Sequence, residues 1–452
     1  MRALPLLGRG LCWSLGLLLV LVLLGYLLLV LINWRDEPPS PAALELSQRY
    51  QQRQPPADAD NAFMYLMGFT AAAGMDPVEQ GRVRLDWTRN ALAQPLDQPW
   101  QEPEQPKIPD YRSMRSNGLN QFVQSCIANE PACTERLLSD PNLIEHWLAS
   151  ERQLLERYLG LLRYPRVHDP LPVDIRRALP DYGQILDGQR LLLAQAWQLG
   201  SHGEIQEVKS LLSRDLGFWR QALADADTLI NKVIAVAAIK QHFFWGNRIL
   251  AQLPAERQLW ALPGNWELPL SPEERSMARV AAGEWTFGQS SLRLVYADRG
   301  LRLVLRPLLQ EQASSNRYAH FLRSFERDAA LPYPKLVDRL DAIAKLPQDQ
   351  LSRRLIQSRG YNLAGTLQLG VDNPGDFHSY SVRVADLEGL RRSAVLLAQL
   401  RSEGVTVETL AAKLPQAELN NPYTEAPFDW DPGSASLSFA SPGRGEVYRL
   451  QF

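Results

Sequence analysis

The chain is poor in the side chains that most often carry chemistry. Of its 452 residues only three are cysteine (Cys12, Cys126 and Cys133) and six are histidine. It contains no G-x-S-x-G, H-E-x-x-H, Walker loop or G-x-G-x-x-G, so no familiar nucleophile, zinc or phosphate-binding signature is present. Lysine is scarce, seven residues against 41 arginines, and the formal net charge is only −2. No basic stripe stands out, and nucleic acid is therefore not an expected partner. Beyond the N-terminus no apolar run is long enough to span a bilayer. The run VIAVAAI at 233–239 is too short and reads as buried helix.

The N-terminus differs. From Leu11 to Ile32 there is neither a charge nor a proline. At about 1.5 Å per residue this run reaches about 33 Å, enough for a bilayer core. Trp13 and Trp34 lie near its ends, where indoles favour the headgroup region. Arg2 and Arg9 precede it, whereas Arg35 is followed at once by Asp36 and Glu37. The positive-inside bias then puts the N-terminus in the cytoplasm and the bulk of the chain across the membrane. A cleaved signal peptide would have a shorter apolar region, about 7–15 residues, and an A-x-A-like site after it. The longer run followed by NWRDEPPSP predicts an uncleaved anchor.

The arginine bias with abundant Leu and Ala suggests a GC-rich bacterial genome, and so a periplasmic, oxidising location for the bulk. That bears on CIANEPAC, 126–133. Zinc needs four ligands, and the nearest histidine is His146. A redox pair usually has C-x-x-C spacing, which is absent here. A structural disulfide between Cys126 and Cys133 is expected, contributing about 2–3 kcal/mol. Two reduced, buried thiols are the alternative.

Prolines divide the rest. Residues 1–35 read as cytoplasmic tip and anchor, and Pro- and Gln-rich 36–57 as a stalk holding the body off the membrane. Residues 58–113 read as a small helical unit in which Asp76-Pro77-Val78-Glu79 starts a helix, followed by an extended Pro-rich segment at 95–109. Residues 114–383 read as an antiparallel helical array without a fixed repeat, one long helix running across 218–244. SRGYNLAGTLQLG, 358–370, reads as a glycine-punctuated loop.

Residues 384–452 read as a helix plus a small antiparallel meander. Leu390, Ala394, Leu397 and Leu400 fall at helical spacing before Gly404, and alternating runs near 428–430, 437–439 and 447–450 follow. The helix should dock on the array through Leu390, Ala394 and Leu397, because so small a unit cannot stand alone. The fold class expected is thus mainly α, with an α+β C-terminal module.

The stretch LPQAELNNPYTEAPFDW resembles the tails of type II secretion pseudopilins, which also place a leucine-proline turn and an N/D-P-aromatic segment before a final small sheet. The similarity covers about the last 70 residues, and its motif is mostly turn chemistry. The N-terminus lacks the basic leader and F-T-x-x-E-like start of a pilin. What the resemblance implies is a pilin-like C-terminal module. The chain as a whole resembles single-pass, membrane-anchored periplasmic proteins of Gram-negative bacteria, which brings no activity with it.

Candidate chemical groups each have a plainer account. His168-Asp169 could be an oriented imidazole, but Asp169-Pro170 marks a turn. Glu273 and Glu274 could be paired acids, but Ser271-Pro272-Glu273-Glu274 is a capping box. His242, beside Phe243, Phe244 and Trp245, suits a core histidine; His320 suits a solvated basic face and His202 a turn. No catalytic, cofactor or metal residue is assigned. Tyr423 and Phe428, in a loop expected at the surface, are the candidate contact for envelope proteins. Two functions follow: an inner-membrane-anchored periplasmic scaffold or interaction protein, or a hydrolase whose site is assembled from dispersed residues.

Overall fold

The computed structural model describes residues 4–95, 103–104, 106–107, 109–111, 140, 142–297, 300, 307–345, 355–371 and 374–452. Cys126 and Cys133 lie outside the described residues. The fold is mainly α, with a small antiparallel sheet at the C-terminus and one N-terminal apolar helix.

Helix α1, Leu4–Ile32, is the one described helix long and apolar enough to cross a membrane, by length and composition. Its side chains from Trp13 to Leu28 are exposed all round, as an apolar helix is when no protein covers it.

Residues 36–57 are not a stalk. Ser40 accepts from the Ala43 amide at 3.2 Å, Pro41 follows at the first helical position, and α2 runs Pro41–Gln51. Ala43 and Leu46 are buried, and α2 packs on α10, Ala278–Ala297, and α11, Glu311–Ala329. Arg49 pairs with Glu326 at 2.9 Å and Arg53 with Asp227 at 2.8 Å. Proline composition suggested extension, but the Ser-Pro start and the buried Ala43/Leu46 pair prevail.

Helices α3, Phe63–Met67, and α4, Pro77–Leu92, form the small unit, with Asp76 capping α4 as its sequence implies. Pro103 and Pro109 accept hydrogen bonds from Trp87 and Ala72, so these described parts of the Pro-rich segment lie against it. Then come α5, Asn142–Ser150; α6, Arg152–Leu161; α7, Tyr182–Ser201; α8, Ile205–Asp225; and α9, Leu229–Ala251. The short links before α8 and α9 make α7–α8 and α8–α9 successive antiparallel pairs, and α9 also packs on α7. The single helix expected across 218–244 is instead broken at Ala226–Thr228. There Asp225 is held by Arg166, and Asp227 by Arg53 and Arg279, all distant in sequence.

Helices α12, Tyr333–Ala344, and α13, Leu363–Val371, lead to α14, Pro374–Ser402, which starts ten residues before the expected module boundary. The segment 358–370 is thus a turn followed by a helix, not only a loop. Helix α14 packs on α9, α11 and α12 and carries the sheet. Leu390, Ala394 and Leu397 do face inward, and Gly404, at φ +73°, closes the helix end. After α15, Val407–Lys413, strands β1 (Asp429–Asp431), β2 (Ser436–Ala440) and β3 (Val447–Gln451) pair antiparallel in sequence order. Phe439 opposes Tyr448, and a Cβ on Gly389 of α14 would stand 2.5 Å from the Phe439 ring. Only glycine lets the sheet approach so closely. Among the described residues one large hydrophobic cluster includes side chains from Ala43 to Leu450, and a second, smaller one gathers Phe63, Met67, Leu85 and Leu171.

Candidate functional site: a groove beside Glu284

The histidines come first, since the sequence left them open. His242 is wholly buried. Its Nδ1 lies 2.7 Å from Asp215 Oδ2, and Trp266 Nε1–H donates to its Nε2 at 2.8 Å. A Cβ on Gly246 would stand 2.5 Å from the Trp266 ring, so that glycine makes room for the indole. Asp215 also accepts from Tyr158 Oη at 2.5 Å and Gln189 Nε2 at 3.0 Å. This is a sealed polar core, with every ring nitrogen engaged.

His168 does not pair with Asp169. Its Nδ1 faces Asp227 at 3.4 Å, and burial holds its pKa below the usual value. Asp169 accepts from the Leu171 amide at 2.9 Å and from Arg177 at 2.5 Å, which is the expected turn. Ser271 and Glu274 form the expected capping box, and Glu274 is further held by Arg220. His202 sits at the end of α7 and His320 is exposed. Sequence reasoning missed His378, whose Nε2 lies 2.8 Å from Asp328.

Tyr423 and Phe428 are core residues, not a contact surface: they are 5% and 3% exposed. Tyr423 donates to Asp386 at 2.6 Å, and Phe428 packs edge-on against Phe439. In this stretch 424–427 and Asp429 are exposed. The aromatics anchor the loop because a three-stranded sheet needs their area to dock.

What is open to a ligand lies elsewhere. The loop before α7 and the start of α9 face the middle of α10 across a groove of ≈ 370 Å³. Ile175, Leu179 and Ile230 line it and are 56%, 47% and 42% exposed. Glu284 and Phe287 of α10 close its floor, and the same two residues line a second groove of ≈ 270 Å³, which Trp285 and Tyr318 also line. Glu284 Oε1 accepts from the Leu229 amide at 2.7 Å, satisfying a free N–H at the start of α9. Burial pushes the Glu284 carboxyl above its usual range. Asp174, at the rim, goes the other way. Burial opposes it, but hydrogen bonds from Arg176 hold its carboxyl below the usual range. The groove therefore offers an apolar mouth in which Asp174 is paired with Arg176, Arg177 also lines the wall, and Glu284 is held by the Leu229 amide. That suits a mainly apolar segment or molecule.

Among the described residues no three His, Cys, Asp or Glu side chains gather into a metal-binding group. Fold and groove together define a helical protein with one membrane-length helix and a small C-terminal sheet. No family model, no curated protein and no solved structure matches the chain.

Proposed function

We propose that this protein is a single-pass, membrane-anchored scaffold of the cell envelope, with its N-terminus in the cytoplasm and its body in the periplasm, that binds other envelope proteins. The observation that carries this reading is the join between anchor and body. Asp36, four residues after α1, accepts from the Gln312 and Ala313 amides at 2.7 and 3.0 Å and so caps α11. Asn316 of α11 donates to Glu37 and Pro38 and accepts from the Ser40 amide. No flexible linker intervenes, so the groove beside Glu284 is held in a fixed pose relative to α1. A fixed pose favours docking of partners in the same membrane over search for diffusing substrates.

Orientation rests on Arg2 and Arg9 before the apolar run. In that topology Cys126 and Cys133, which lie outside the described residues, would meet an oxidising compartment. The similarity of the C-terminal module to pseudopilin tails also points to an envelope setting. The hydrolase alternative called for a deep pocket gathering His242 or His320 with carboxylates; His242 is enclosed by Trp266 and Asp215, His320 is exposed, and neither lines the grooves beside Glu284.

A photo-crosslinking residue placed at Ile230, and separately at Leu179, tests the groove in intact cells. One partner captured at both positions and lost on Ile175→Asp supports the reading. No adduct at either position removes the groove as a contact. A reporter fused after Phe452 that works only in the cytoplasm overturns the orientation.

A further inference from the structure

Helix α1 is not bare to its end. Residues 13–28 are exposed, but Leu29 and Val30 are partly covered and Asn33 is buried. Part of that cover is the segment 355–362, a helical end at 355–358 followed by a turn at 359–362. A Cβ on Gly360 would stand 3.3 Å from Leu29 Cδ2 and 3.5 Å from Ile32 Cδ1, so this backbone packs on the last turn of the apolar helix. Gly360 has φ +89°, which favours glycine there on conformational grounds as well.

The polar atoms at this contact are satisfied in a way suited to a low-dielectric setting. Asn33 Nδ2 donates to Leu29 O at 2.9 Å and to Gly360 O at 3.0 Å. Its Oδ1 accepts from the Asn362 amide at 2.8 Å, and its backbone O accepts from Gln310 Nε2 at 3.0 Å. Non-helical backbone is tolerated at membrane depth only when protein takes up its hydrogen bonds, and here Asn33 does so.

Leu29 lies about 4.5 Å along the helix from Ile32, on the membrane side of it. A segment touching both stands at the boundary of acyl chains and headgroups. Four residues before Gly360, in the short helical stretch that leads into the turn, Ile356 is 77% exposed, and its carbonyl accepts from the Arg359 amide at 3.2 Å. Arg359, three residues on in the chain, is exposed, and so is Trp34, which follows the buried Asn33 at the end of α1. An exposed apolar side chain near an arginine, on a segment packed against the end of an apolar helix that an indole follows, has the composition of an interfacial anchor.

We propose that the 355–362 segment is a second membrane contact, inserting Ile356 into the headgroup–acyl boundary of a phospholipid bilayer with Arg359 at the phosphates. The proposal rests on α1 being the membrane span. The two contacts together would fix how the body tilts on the membrane, which one helix alone leaves free to rotate.

The test places an environment-sensitive fluorescent amino acid at Ile356, and separately at Val20, in the full chain. The protein is reconstituted in phosphatidylcholine and phosphatidylglycerol vesicles whose acyl chains are brominated near the glycerol. The probe at 356 should lose most of its emission to the bromolipid and resist aqueous iodide. With the probe moved to Gln357, Ile356→Asp should restore emission and admit iodide. Lipid quenching at 20 with only iodide quenching at 356 overturns the second contact and leaves the anchor standing. Iodide quenching at 20 overturns both. Ile356 is exposed, so neither change disturbs packing.

Discussion

His242 Nδ1 and Asp215 Oδ2 lie 2.7 Å apart, and neither side chain reaches solvent. Because an indole N–H can only donate, Trp266 makes Nε2 the acceptor and puts the imidazole proton on Nδ1, aimed at Asp215. Asp215→Asn would turn one acceptor into a donor while Tyr158, Gln189 and His242 all still donate to that side chain. We expect a loss of about 3–5 kcal/mol, typical of a broken buried polar pair. Denaturant unfolding checks the size. Nitrogen NMR of the wild type should find the Nδ1–H tautomer, and Nε2–H would contradict the network.

Lys232 is as deeply set. It is 1% exposed, and its Nζ donates to the carbonyls of Leu223, Glu274 and Ser276 at 2.7, 2.8 and 3.0 Å. Burial pushes its pKa down to about 7, yet the three acceptors match the three protons of an ammonium. Lys232→Met keeps the volume and apolar stem but leaves three buried carbonyls without this donor. The expected cost is at least about 3 kcal/mol in unfolding experiments, although the new residue is the more hydrophobic. An unchanged midpoint would mean that the carbonyls find other donors.

Asp386 predicts a pH effect of definite sign. It is 1% exposed; Tyr423 donates to its Oδ1 at 2.6 Å and Ser441 to its Oδ2 at 2.8 Å. Burial raises its pKa from 3.8 to about 6, against the pull of those hydroxyls. Between these values the folded chain holds more protons than the unfolded one. This group's contribution to stability therefore grows as pH falls through about 6 towards 4, and its penalty is complete above 6. Asp386→Asn does not titrate. The stability of wild type relative to this variant should rise by up to about 3 kcal/mol between about pH 7 and about pH 4. A flat difference would place the carboxyl in a wetter site.

How much of this was legible in the sequence depends on how far apart the interacting residues are. Local grammar read correctly: Asp76-Pro77, the Ser271 capping box, Gly404 and the inward face of Leu390, Ala394 and Leu397 all rest on neighbours within a turn or two. Ser40-Pro41 obeys the same grammar, but the prolines around it favoured a stalk. The break at Ala226–Thr228 was hidden, because its causes are Arg53, Arg166, Arg279 and Glu284. One buried signal was within reach. Val208, Leu212, Asp215 and Trp219 share one face of α8, and an acid in an apolar stripe asks for partners. Glu284 had no such mark, since its groove is made by a loop and two helices distant in the chain.

The last prediction separates a stalk from a packed helix. A flexible 36–57 would be the first place for trypsin to cut, after Arg49 or Arg53. In the fold Arg49 donates to Ala278 O at 3.2 Å and pairs with Glu326, while the Arg53 guanidinium lies 3.7 Å over the Tyr50 ring and pairs with Asp227. Cleavage at either bond requires α2 to leave its seat on α10 and α11, which is a sub-global opening. Native trypsin digestion should spare both bonds. Asp227→Ala strips the partner shared by Arg53, Arg279 and His168, at a cost of about 3–5 kcal/mol. In that variant the bond after Arg53 should become an early cut, read by mass spectrometry of the first fragments. Rapid cleavage after Arg49 or Arg53 in the wild type would restore the stalk and detach the anchor from the body.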